Sequence, residues 1–301
     1  LEHKNSETYK GFVVTLLAFT VWGTLPIYWK LIREVSPVEI LAHRILWSLV
    51  LLVFLLSLQK KWNRVAKAMT TPSVLKILMA SGTVIGANWL LYIWAVNSDM
   101  VVEASLGYYI NPLVNILFGF IFFRDRLRKV QWAAIALAAG GVLYQLLKFG
   151  ELPWVSLGLA FSFGVYGLLR KIADVDSSVG LFVETLLLSV PALLLLCYMH
   201  ARGTMAFGHT GIGTDILLIG TGAVTSIPMM AFVYGARRLS LVTVGIIQYI
   251  SPTISFLLGI FVYGEPFSSV QFTTFACIWG ALAIYTGEGI MTARKRKVRK
   301  L

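Results

Sequence analysis

The chain has 301 residues, 57% of them hydrophobic and only 13% charged, with a formal net charge of +12. A mean hydropathy of +0.78 excludes an ordinary soluble globule and points to a polytopic membrane protein. The positive excess falls in short clusters along the chain, so it reads as a membrane face meeting anionic headgroups and not as nucleic-acid binding.

A membrane span needs roughly 20 apolar residues. Ten such segments are predicted, in order at 11–32, 37–59, 74–96, 100–123, 130–148, 153–170, 178–200, 212–236, 240–263 and 269–291. The first is too long for a signal-peptide core and has no clear small-residue cleavage site, so it is expected to be a retained helix. Cys197 and Cys277 fall inside spans without metal-type spacing, and His3, His43, His200 and His209 are dispersed. Neither a metal nor a cofactor is expected.

The segment 94–142 returns as 234–282, offset by 140 positions without a gap. Tyr109, Ile110, Pro112, Leu117, Gly119, Val130, Gln131, Ala136 and Gly140 recur as Tyr249, Ile250, Pro252, Leu257, Gly259, Val270, Gln271, Ala276 and Gly280. The loop charges do not recur. Arg124, Arg126, Arg128 and Lys129 become Gly264, Pro266, Ser268 and Ser269, whereas Asn97 and Ser98 become Arg237 and Arg238. Lysine and arginine in short loops mark the cytoplasmic face, so the two copies are expected to lie upside down relative to each other. The fold class read from this is all-α, with ten transmembrane helices in two inverted five-helix repeats, 1–150 and 151–301.

Orientation follows from the same charges. Lys4, Lys10, the group from Lys60 to Lys76, Arg124 to Lys129, Arg170, Lys171, Arg237, Arg238 and the basic tail 294–300 share one side, leaving Lys30, Arg33, Lys148 and Arg202 on the other. Both termini are therefore expected in the cytoplasm.

Polar side chains inside spans should face the bundle interior or a wet cavity, because an unsatisfied polar group in hydrocarbon is costly. Tyr108, Asn111 and Asn115 form one stripe of the fourth span, and Gln248, Ser251 and Ser255 form the equivalent stripe of the ninth. We read both as a cavity lining; the alternative is interhelical hydrogen bonding that holds the bundle together. Pro112 and Pro252 lie within the stripes, where each releases a carbonyl four residues earlier. Asn88 and Tyr92 share a face of the third span, while Gly82 and Gly86 suit close helix packing. Trp22 and Tyr166 sit deep enough to add stacking surface to a cavity. Trp29, Trp62, Trp132 and Trp154, near span ends, are read as interfacial anchors.

Ionisable groups inside spans point to function. Arg44 lies roughly 10 Å below the end of the second span, and Glu103 enters the fourth from the same side. A pair between them reads either as a static ion pair or as an anion-binding or gating element. Glu184, in the seventh span, is the candidate for proton coupling, although a carboxyl held protonated in the bundle would look the same.

The run Glu103-Ala-Ser-Leu-Gly-Tyr-Tyr-Ile-Asn-Pro-Leu-Val-Asn115, with Asn88-Trp-Leu-Leu-Tyr92, Ala42-His-Arg44 and Tyr263-Gly-Glu-Pro266, resembles the RarD proteins of the EamA branch of the drug/metabolite transporter superfamily. The likeness runs essentially end to end. It implies ten helices in an inverted-repeat bundle, both termini inside, and residence in a bacterial inner membrane.

An intramembrane enzyme is not expected. There is no His-Glu-x-x-His motif and no Gly-x-Ser-x-Gly elbow, and Ser73-Val-Leu-Lys76 stands without companion motifs. No Walker A loop is present, so ATP does not drive the protein directly. A membrane sensor or assembly subunit is the alternative, but it would not need a polar stripe in both halves. The expected function is a secondary transporter moving small organic solutes by alternating access, with membrane lipid as its solvent and no oligomer specified by the sequence.

Overall fold

The computed structural model describes residues 2–123, 128–149, 152–173, 175–236 and 247–298. Among them the chain is all-helical: α1 Glu2–Leu31, α2 Pro37–Leu58, α3 Trp62–Thr70, α4 Pro72–Asn97, α5 Val101–Phe123, α6 Lys129–Phe149, α7 Trp154–Ala173, α8 Ser177–Ala201, α9 Ile212–Ala236, α10 Ile250–Leu257 and α11 Ser269–Val298. Helix α10 continues into a single π turn, Leu258–Val262. Six helices, within α1, α2, α4, α6, α8 and α9, are long and apolar enough to cross a membrane, and shorter apolar stretches occur in α7, α10 and α11. This is a polytopic membrane protein. The first ten residues of the predicted ninth span fall largely on 237–246, outside the described residues.

Local chemistry accounts for the helix ends. Proline opens α2 and α4, where its missing N–H would be unpaired in any case. Asp176 accepts from the Ser178 amide and so caps α8. Two more carboxylates accept from backbone amides far along the chain, Glu39 from a loop and Glu265 from a helix start. Glu39 accepts from the amides of Ala206 (2.8 Å) and Phe207 (2.9 Å), and Glu265 accepts from those of Val101 (2.9 Å) and Val102 (2.8 Å) at the start of α5. Glu265 can reach them because Gly264 adopts φ +63°, which favours glycine. Burial raises its carboxyl above the ordinary carboxylate range, against the opposing pull of the two amides and Lys30.

Helix α3 is a finding beyond the ten predicted spans. The basic stretch after α2 is a short amphipathic helix, with Val65 and Ala68 buried and Asn63, Arg64 and Lys67 exposed. A helix of this length cannot span a bilayer; its one apolar edge packs against α8.

The packing has a two-fold pattern. α5 packs on α7 as α1 packs on α10; α4 packs on α7 as α1 packs on α9; α4 packs on α8 as α2 packs on α9. The pairs α6–α11, α2–α8 and α5–α10 complete it. Exchanging α1, α2, α4, α5 and α6 for α7, α8, α9, α10 and α11 maps this list onto itself. Small residues permit the close crossings, since lipid supplies no hydrophobic drive between helices. A Cβ on Gly23 of α1 would lie 2.9 Å from the Ser251 carbonyl oxygen, and one on Gly107 of α5 would lie 2.7 Å from that of Ser156. Large apolar side chains such as Phe54, Leu147, Leu194 and Phe261 are exposed on the outer surface, as a lipid-facing surface requires.

Ion pairs gather at the two ends of the bundle. Lys30 pairs with Asp99 at one end. At the other, Lys61 and Arg64 both reach Asp176, at 3.2 and 3.3 Å, and Arg128 pairs with Glu288. Trp62, Trp132 and Trp154 are exposed, but Trp29 is fully buried. The anchor reading of Trp29 is thereby corrected: its ring lies under Arg44, inside the bundle.

Candidate solute site

Seven helical segments converge on one central cavity. Phe19, Trp22 and Leu25 of α1 line it, along with Arg44 of α2, Asn88, Trp89 and Tyr92 of α4, and Tyr108 of α5. From the second half come Phe163 of α7, Thr225 and Met229 of α9, and Gln248, Ser251 and Pro252 at the start of α10. Spacings of three and four residues on α1, α4, α9 and α10 turn one face of each helix inward.

Six of the fourteen lining side chains are aromatic. Trp22 meets Phe19 edge-on at 5.2 Å, Tyr92 meets Tyr108 at 5.5 Å, and Phe163 lies 6.3 Å from Tyr108. Asn88 donates from Nδ2 to the Leu159 carbonyl (3.1 Å) and the Ser162 hydroxyl (2.8 Å), while its Oδ1 has no partner among the described residues.

Arg44 supplies the charge. It is 5% exposed, and its Cζ lies 4.2 Å from the Trp89 ring centroid and 5.4 Å from that of Trp29. Such contacts offset part of the cost of burying a cation but offer no hydrogen-bond acceptor. Nε and Nη1 of Arg44 have no hydrogen-bond partner among the described residues. The candidate pair with Glu103 does not form: no ion pair joins them among the described residues, and Arg44 lies between indole rings instead. The Glu103 carbonyl accepts from Ser156 Oγ at 2.7 Å, which ties α5 to α7.

Of the side chains expected at the site, Trp22, Arg44, Asn88, Tyr92, Tyr108, Gln248 and Ser251 meet around the cavity. Asn111 and Ser255 do not line it. Asn111 donates to the Ala160 carbonyl (3.0 Å) and Ser255 to the Gly23 carbonyl (3.0 Å), each buried in a helix seam. The cause is the close crossing just before them. Gly107 brings α5 against Ser156, so Asn111, one turn on, meets α7 one turn on; Gly23 does the same for α1 and α10. The side chains of Asn115 and Pro112 lie outside the described residues, although α5 runs through both positions as continuous helix. Pro252 falls in the first turn of α10, just after a break in the helix at Tyr249, where proline is tolerated.

Tyr166 and Glu184 form a second cluster beside the cavity. Glu184 is 1% exposed. It accepts from Ser81 Oγ at 2.5 Å and from the Tyr166 hydroxyl at 3.3 Å, with Arg170 Nε 3.6 Å away. Gly180, one turn before Glu184, leaves the space in which the Arg170 guanidinium lies. The Tyr166 ring is 6.1 Å from Phe163, which lines the cavity, so aromatic contact links the two sites.

Sequence reasoning missed Phe19, Leu25, Trp89, Phe163, Thr225 and Met229 as lining, and Ser81 and Arg170 as partners of Glu184. Apolar side chains within spans carry no polar signal, and Arg170 reads as one more loop charge. A further, more open space lies near Lys61, Asp176 and Tyr234, and Met229 borders both it and the central cavity.

An all-helical membrane protein that encloses an aromatic and polar cavity has an architecture suited to a membrane transporter, and the comparisons with known proteins assign that class. The EamA-like transporter family matches residues 9–147 and again residues 153–287. The chain belongs to that family, on its RarD branch. It is 46% identical to "Protein RarD" of Salmonella typhi over 290 residues, covering 96% of this chain and 99% of the relative. It is 42% identical to an uncharacterized transporter of Bacillus subtilis, covering 98% and 99% of the two chains. A solved crystal structure, 20% identical, superposes with a TM-score of 0.55 over 93% of this chain and 97% of its own, a likeness of fold.

Proposed function

We propose that the chain is a secondary transporter of small organic solutes that works by alternating access, with its binding site in the central cavity. The observation that carries this reading is the cavity itself: aromatic walls, a few unpaired polar groups, and lining drawn from both halves of the bundle. Ten spans in two inverted repeats, 1–150 and 151–301, fit the two-fold packing pattern, the 140-residue offset and the loop charges that exchange sides. Met229, between the central cavity and the second space, is suited to the thin barrier that a rocking motion opens. Glu184 is assigned the coupling or gating role. A proton on its carboxyl would release Arg170 and loosen α7 from α8.

Topology is tested with single cysteines at Ser98, Arg128, Arg238 and Ser268 in a background lacking Cys197 and Cys277. An impermeant thiol reagent added outside should label Ser98 and Ser268 and spare the other two. The reverse pattern would turn the protein over, and labelling that does not alternate would remove the inverted repeat. Transport itself is tested in liposomes, with solutes first chosen by thermal shift. Binding without protein-dependent flux would favour a sensor or assembly subunit. Glu184→Gln should retain downhill flux and lose accumulation driven by an imposed pH gradient; an equal gradient response in both proteins would remove Glu184 from coupling.

A further inference from the structure

Among the described residues lining the central cavity, Arg44 is the only ionisable side chain other than the tyrosines. Its burial removes it from water, and the rings of Trp29 and Trp89 cover the guanidinium without accepting from its N–H groups. Nε and Nη1 therefore keep unclaimed donors in a place where an unpaired charge is expensive. Retaining such a group makes physical sense when the missing partner arrives with the solute.

The rest of the lining narrows the class. Among the described residues no aspartate or glutamate lines the cavity, so an ammonium would find no counter-charge there and would be repelled by Arg44. A doubly charged phosphate or dicarboxylate would leave one charge uncompensated beside the single guanidinium. The aromatic side chains Phe19, Trp22, Tyr92, Tyr108 and Phe163 offer ring faces and edges to a flat apolar body. We propose that the cavity selects aromatic monocarboxylates, with Arg44 as the partner of the carboxylate and the aromatic wall as the partner of the ring. This rests on the transporter reading of the same cavity and adds its substrate class.

The test is isothermal titration of the full chain in lipid nanodiscs with 2-naphthoate, its neutral amide, the corresponding methylamine, and tryptophan as a zwitterion. A hydrogen bond to a charged group predicts that the acid binds roughly tenfold or more tighter than the amide. The amine and tryptophan should bind more weakly than the acid. Arg44→Lys should keep part of the preference for the acid, and Arg44→Gln should bring the acid down to the level of the amide. The comparison of ligands on the unaltered protein needs no variant to fold. No binding of 2-naphthoate at millimolar concentration, equal affinity for acid and amide, or an unchanged acid affinity in Arg44→Gln would each overturn the assignment. Counterflow in liposomes separates this from the transporter reading. Arg44-dependent acid binding without flux keeps the anion site and removes transport, whereas flux without acid preference keeps transport and removes the anion site.

Discussion

Replacing Glu184 by glutamine tests whether its contact with Arg170 is an ion pair inside the bundle. Two unit charges 3.6 Å apart attract by about 4–5 kcal/mol at an effective dielectric of about 20, before the cost of desolvating them. Removing one partner leaves the other buried and uncompensated, which typically costs about 3–5 kcal/mol. Arg170 is exposed to that penalty, because its Nη1 already lacks a hydrogen-bond partner among the described residues. A glutamine in place of a neutral carboxyl would instead cost about 1 kcal/mol, since it keeps the shape and still accepts from Ser81. The assay is unfolding in mixed micelles of increasing dodecyl sulfate fraction, for the unaltered chain, Glu184→Gln, Arg170→Gln and the double variant. The ionised pair should appear as a coupling of about 2–3 kcal/mol. Coupling below about 0.5 kcal/mol, with Glu184→Gln as stable as the parent, would refute the ion pair. The gating role argued from release of Arg170 would fall with it.

Gly82 and Gly222 stand 140 positions apart, the offset of the like segments, but they do not occupy equivalent spaces. A Cβ at Gly82 meets Glu184 at an ordinary 3.5 Å, whereas one at Gly222 would run into the backbone of Trp47. Gly82→Ala should therefore be neutral or slightly stabilising and Gly222→Ala should cost about 1–3 kcal/mol by the same assay; equal effects would refute the packing of α9 on α2. Glu265→Ala should cost about 1–2 kcal/mol by leaving the amides of Val101 and Val102 uncapped. Faster hydrogen exchange confined to the start of α5 would check it. For Asp176, burial raises the carboxyl, but hydrogen bonds from Lys61 and Ser178 and the charge of Lys61 outweigh it and hold the group below its ordinary range. A depressed carboxylate contributes stability above its unfolded value of about 3.9 and loses it as pH falls through the lower folded value. Melting temperature should therefore drop below about pH 4, and less steeply in Asp176→Asn; parallel profiles would exclude Asp176.

Most helix positions, and the 140-residue offset between like segments, were legible in the sequence because both are written in one dimension. A run of apolar residues must become a helix where lipid offers the backbone no partner, and the 140-residue offset survives in Tyr109 with Tyr249 and Gly140 with Gly280. Periodicity also identified polar faces, and seven of the proposed side chains do meet at the cavity. It could not say how far round a face the cavity extends. Tyr108 lines the cavity and Asn111, one turn along, does not, because glycine at 107 draws α5 against α7 and closes that part of the face. Partners distant in sequence were equally out of reach. Glu265 caps a helix that begins more than 160 residues earlier, and Glu184 finds Ser81 across two elements that only the folded bundle brings together. Arg44 announced itself in the sequence by being a charge within a span. Only the tertiary structure decided that its neighbours are Trp29 and Trp89 and not Glu103, because the rotation and separation of packed helices depend on every side chain in the seam at once.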